Sequence, residues 1–164
     1  MAGGYAASRP ALKLMDQPVV APSALLPARP AYNRVVDADA VAAVRNALEG
    51  TLCTEAHSTN GLRSGAFEAR FNLASLSVTC EWNLHSLGLR RRSDANPVAL
   101  VGARVVEVRV DPKDHTLTIL FEGQMSFWAK PDSPVHESWV LSMPDGQMIV
   151  VGPGSAWARF PARA

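Results

Sequence analysis

Between Arg104 and Val151 apolar and polar residues alternate in short runs, with Gly, Pro and Asp gathered between the runs. This constrains the fold more than any other feature, because a period of two is the period of a strand with one buried face. The runs are RVVEVRV, TLTILF, QMSFWA, SWVLSM and QMIVV, separated by DPKDH, EG, a longer connection and PDG. Short connections of this composition join neighbouring antiparallel strands. The spacing predicts a β-meander.

A short helix precedes it. Asp37 or Asp39 is placed to accept hydrogen bonds from the first free amides. Val41, Val44 and Leu48 recur on one face, and Gly50 stands where a left-handed residue ends a helix. Thr51–Gly65, with its Ser, Thr, Asn and Gly, reads as a loop. From Ala66 to Leu87 the apolar residues sit on odd numbers up to Leu73 and on even numbers from Leu76. That parity flip at Ala74–Ser75 requires a bulge or a tight turn. Two strands joined by a turn and one long bent strand both fit. With neither Gly nor Asn at the junction itself, the bent strand is favoured. The fold class expected is α+β: one antiparallel sheet of five to seven strands with a short N-terminal helix packed near it.

Residues 1–31 hold five of the twelve prolines among many alanines and no sustained period. Such a composition buries too little surface to offset chain entropy, so residues 1–31 are expected to be a disordered tail and 32–160 the α+β domain. Met15 offers an alternative start. Charge is uneven: residues 1–34 carry a net +3, and the rest carries −2 of the overall +1. A slightly acidic body is poorly suited to neutralising phosphates, which argues against nucleic-acid binding. No apolar run reaches the ~20 residues that span a bilayer. Pro22 and Pro27 break the apolar stretch Val19–Ala28, so it is not expected to act as a signal peptide. A cytoplasmic protein with no membrane association is expected, with Cys53 and Cys80 as reduced, buried thiols.

Catalytic or metal chemistry needs converging groups. His57, His85, His115 and His136 form no HxxxH or HxH pair, and no CxxC is present. Cys80 shares a strand face with Trp82 and Leu84, whereas His85 falls opposite with Glu81 and Asn83, so the strand brings no Cys–His pair together. Asp111, Asp114 and His115 place three donors in one turn. They could hold a divalent ion, although Asp is also an ordinary turn residue that accepts local backbone hydrogen bonds. Gly152-Pro153-Gly154 is followed by too little helix to cradle phosphate and reads as a chain reversal. Arg90–Arg92 reads as a solvated run. No cofactor is expected, and no enzymatic activity.

The meander's faces say more. One carries Val106, Val108, Val110, Leu117, Ile119, Phe121, Met125, Phe127, Trp139, Leu141 and Met143, and is expected to be core. The other is polar except for Leu120, Trp128 and Val140, which a simple meander would bring close together. An apolar stripe with a polar border suits protein contact or cover by the chain's own helix. With His136 and Glu137 in the connection KPDSPVHE, these residues form the expected binding site of a non-enzymatic protein-binding module. The alternative is a small-molecule or divalent-metal-binding protein using Asp111, Asp114 and His115. Self-association as a homodimer through an open sheet edge is a third reading.

The stretch LVGARVVEVRVDPKDHTLTILFEGQ, followed by W-V-L-S-M-P-D-G-Q and V-V-G-P-G, resembles small bacterial β-rich domains of unknown function. The resemblance spans about residues 99–157. Those domains are similar in size and build to immunity proteins that neutralise toxins, which implies an immunity- or adaptor-like role. It rests on turn and strand chemistry, and fold likeness alone warrants little about function.

Overall fold

The computed structural model describes residues 38–59, 65–86 and 96–162. The proposed tail, the cap at Asp37 and the Arg90–Arg92 run lie outside them. Helix α1 spans Ala38–Leu48 and buries Ala40, Val44, Ala47 and Leu48. It ends as its sequence predicts, with Gly50 at φ 78°.

Ten strands follow among the described residues, not five to seven. They are β1 (Cys53–Ser58), β2 (Phe67–Phe71), β3 (Ala74–Val78), β4 (Glu81–Ser86), β5 (Val105–Val110), β6 (Leu117–Phe121), β7 (Met125–Lys130), β8 (Trp139–Ser142), β9 (Met148–Val151) and β10 (Trp157–Phe160). They form two antiparallel sheets instead of one meander. The six-stranded sheet runs β1-β2-β3-β8-β9-β10, and the four-stranded sheet runs β4-β7-β6-β5. All five arms of the ladder are present, but the ladder divides after β7, and β8 and β9 join the other sheet.

The division is made at one corner. β3 pairs with β8 and β4 pairs with β7, so the connections β3–β4 and β7–β8 cross between the sheets side by side. The Thr79 backbone N–H donates to the Ser138 carbonyl at 2.9 Å, and the Ser138 N–H donates to Val151 at 2.7 Å. The Thr79 hydroxyl donates to the Glu137 carbonyl.

Residues 66–86 form a hairpin and a crossover, not one bent strand. Phe71 pairs with Ala74 across the two-residue turn Asn72-Leu73, which accounts for the parity flip. Even-numbered burial then continues through Leu76, Val78, Cys80, Trp82 and Leu84 although the chain changes sheets at Thr79–Cys80. The expected loop 51–65 contains β1. A register shift between Cys53 and Glu55 puts Thr54 and Glu55 both outside, which conceals the strand period.

Phe67 stands at the centre of the core between the sheets. Its ring lies 4.4 Å from Phe127 and 5.1 Å from Trp82, whose indole N–H donates to the Gly65 carbonyl at 2.7 Å. A second aromatic group joins Trp139 edge-on to Trp157, 5.4 Å apart, with His115 at 5.5 Å from Trp157. Opposite the crossover corner, α1 and the segment after it close the edge of β5. Gly50 donates to the Val105 carbonyl, and the Val105 N–H donates to Thr51. The Val108 N–H donates to the Glu49 carboxylate at 2.9 Å, and Arg45 Nε donates to the Val108 carbonyl at 3.1 Å. Side chains of α1 and of the residue that follows it thus take the place of a neighbouring strand at Val108.

Phe67→Ala is expected to cost about 3–5 kcal/mol, as for large-to-small changes in a packed aromatic core. Glu49→Ala, which leaves the Val108 donor without its partner, is expected to cost about 1 kcal/mol. Urea unfolding of the two variants beside the parent chain measures both.

Candidate functional site

The outer face of the four-stranded sheet is set by register. Asn83, Trp128, Thr118 and Arg109 form one cross-strand row, and His85, Ser126, Leu120 and Glu107 form the next. Trp128 and Leu120 are both half-buried and lie diagonally across β6 and β7, within reach of large side chains.

Val140 is not beside them. It sits on β8 in the other sheet, between Ser77 and Val150. The next residue along that row is Ala158, and Val150 and Ala158 are 3% and 5% exposed. The expected stripe assumed one continuous sheet, and the crossover after β7 separates its members.

Val106 is the residue that sequence reasoning misplaced. Expected in the core, it is 59% exposed. The register of β5 against β6 shifts between Val105 and Glu107, so Val105 and Val108 point inward while Val106 and Glu107 both face out. Glu107 pairs directly with Leu120, which sets Val106 one residue along from that pair. The apolar line on this face is therefore Val106, Leu120 and Trp128. The VV doublet was a signal for the bulge, because two adjacent apolar residues cannot both face the core of a regular strand.

Polar groups border the line in fixed arrangements. Arg109 grips Glu107 with two hydrogen bonds of 2.6 and 2.7 Å, which hold the Glu107 carboxyl below its usual range. The Trp128 indole N–H donates to His85 Nε2 at 3.3 Å. His136 and Glu137 are exposed on the 131–138 connection, which leaves this sheet two residues beyond Trp128. Ser133 shapes that connection, its hydroxyl accepting from the N–H groups of Val135 and His136.

The Asp111–His115 turn is arranged differently from a metal site. Asp111 accepts from the Lys113 N–H at 2.7 Å, and Asp114 accepts from the Thr116 N–H at 3.0 Å, which lowers the Asp114 pKa. His115 takes the left-handed position at φ 60° and is 4% exposed, its ring against Trp157 and its carbonyl accepting from the Trp139 indole. Among the described residues no three His, Cys, Asp or Glu side chains gather to hold a metal ion. Asp111 and Asp114 do line a groove of about 590 Å³ with Arg45 and Arg109. A smaller groove of about 210 Å³ lies on the outer face of the six-stranded sheet, lined by Glu55, His57, Glu68, Arg70 and serines of β3 and β8. Its side chains lie in pairs: His57 is 3.3 Å from Glu68, and Arg70 3.4 Å from Glu55.

Both cysteines are buried free thiols. Burial pushes the Cys53 thiol up to about 11 and the Cys80 thiol up to about 12. Neither has nucleophile character at neutral pH. No helix among the described residues is long and apolar enough to cross a membrane. Neither a family model, nor a curated protein, nor a solved structure matches the chain.

Ellman's reagent at pH 8 is expected to leave both thiols of the native chain unmodified and to titrate both in urea. Because both folded-state values exceed the ordinary 9.0, the folded chain retains protons that the unfolded chain loses first. The thiol contribution to stability is therefore complete below pH 9 and is lost as pH rises toward 11 and 12. Urea midpoints that rise across that interval would contradict the assignment.

Proposed function

We propose that the chain is a non-enzymatic protein-binding module of the immunity or adaptor kind, and that it engages its partner through the outer face of the four-stranded sheet. The supporting observation is the apolar line Val106–Leu120–Trp128 within a polar border whose ion pair is already satisfied. Such a surface gives a partner apolar area to bury without stranding a charge. Trp128 is the natural anchor, since large aromatic side chains dominate interface energetics when water is excluded around them. The exposed His136 and Glu137 extend the surface along the 131–138 connection. The metal-binding alternative has less support, because the His115 ring packs against Trp157 and both turn carboxylates are engaged by backbone donors.

The test compares two serine substitutions, one on each sheet, in capture of partners from the native cell by the full chain. Trp128→Ser is expected to weaken capture by a factor of about 30 or more, the loss of a hot-spot side chain worth ~2 kcal/mol. Val140→Ser, on the other sheet, is expected to leave capture unchanged. Near-UV circular dichroism checks that both variants remain folded. Equal capture by the two variants counts against this face.

A further inference from the structure

The hydrogen bond from Trp128 to His85 constrains the protonation state of the histidine. An indole N–H only donates, so His85 Nε2 must present a lone pair to it. The ring is then neutral, with its proton on Nδ1. That Nδ1 is buried and meets no hydrogen-bond acceptor among the described residues. The arrangement therefore holds one ring nitrogen in a bond and leaves the other unmatched.

We infer that the Trp128–His85 pair is a proton-operated latch on the sheet's outer face: closed while His85 is neutral, and opened by its protonation. A proton added at Nε2 would set two N–H donors against each other across 3.3 Å, and the bond cannot survive in that form. The face offers the resulting cation little compensation. On β4 Glu81 stands in register with Lys130 of β7, and on β5 Glu107 is held by Arg109. On β6 the neighbours are Thr118 and Leu120, which carry no charge. Among the described residues, Glu81 and Glu107 each stand against a cation. Asp111 and Asp114 line the groove beside Arg109 and Thr118 and accept from backbone N–H groups. The protonated ring therefore meets the indole N–H donor to donor. Trp128 must move, and the apolar line through Leu120 is interrupted. Resting on the binding surface proposed above, this makes partner binding strongest where His85 is neutral and weaker where it is protonated.

The latch is testable without a partner, on the full chain labelled with ¹⁵N. At about pH 8, long-range ¹H–¹⁵N spectra are expected to show His85 as the Nδ1–H tautomer. Lowering the pH to about 5, across the span that brackets histidine protonation, should shift the Trp128 indole cross-peak and the His85 ring signals with one common midpoint. The Trp128 peak is assigned by its loss in Trp128→Phe. In His85→Gln, whose amide oxygen accepts the same bond but does not titrate, the Trp128 peak should hold its pH 8 position throughout. Should that variant misfold, the common midpoint in the parent chain still decides. An Nε2–H tautomer at pH 8, or a Trp128 peak that stays still while His85 titrates, overturns the inference. A latch that behaves as expected alongside capture unaffected by Trp128→Ser would refute the binding surface and leave the latch standing.

Discussion

Thr79 and Ser138 meet at the corner where the chain passes twice from one sheet to the other, and their backbone hydrogen bond of 2.9 Å holds the two crossings together. Everything on either side follows from that junction. With β3 against β8 and β4 against β7, the strands before and after each crossing extend two paired ladders into two different sheets. The sheets then face each other across Phe67, Trp82 and Phe127. The hydrophobic effect favours this closure because each sheet has an apolar inner face that neither could bury alone.

The opposite corner is closed by other means. There the chain sets the segment after α1 beside β5 and uses Arg45 and Glu49 to satisfy the Val108 backbone. At the β5 margin the backbone groups of Val105 and Val108 are thereby already engaged. On the outer face of the four-stranded sheet the half-buried Trp128 adds apolar surface and donates its indole N–H to His85 of the neighbouring strand.

Much of the fold was legible. The ladder from Val105 to Val151 has the strands its alternation indicates, and α1 ends at its glycine. Cys80, just before β4, is buried with Trp82 and Leu84, and His85 falls on the opposite face of β4, as the period requires. Legibility failed where the period of two was interrupted. Bulges at Cys53–Glu55 and Val105–Glu107 shift the phase, so β1 read as a loop and Val106 as core. The short strand Trp157–Phe160 was missed because its four residues follow a Gly-Pro-Gly reversal and carry too little pattern to register. At Asn72-Leu73 the turn sits two residues before the parity change becomes visible, so the change by itself does not distinguish a turn from a bend.

The candidate site divides along the same line. Sequence alone determined that Leu120 and Trp128 turn away from the core, because neighbouring side chains alternate and Ile119 and Phe127 are too apolar to face water. It could not decide that Val140 belongs elsewhere, since alternation says which way a side chain points but not which sheet its strand joins. That assignment depends on pairing between residues far apart in the chain, Ser77 with Val140 and Asn83 with Trp128. The same long-range pairing brings His85 of β4 to the indole of β7. Local periodicity determined the faces of this protein. Only the tertiary structure decided which residues share a face, because strand partnership is settled by the joint packing of both sheets around one core.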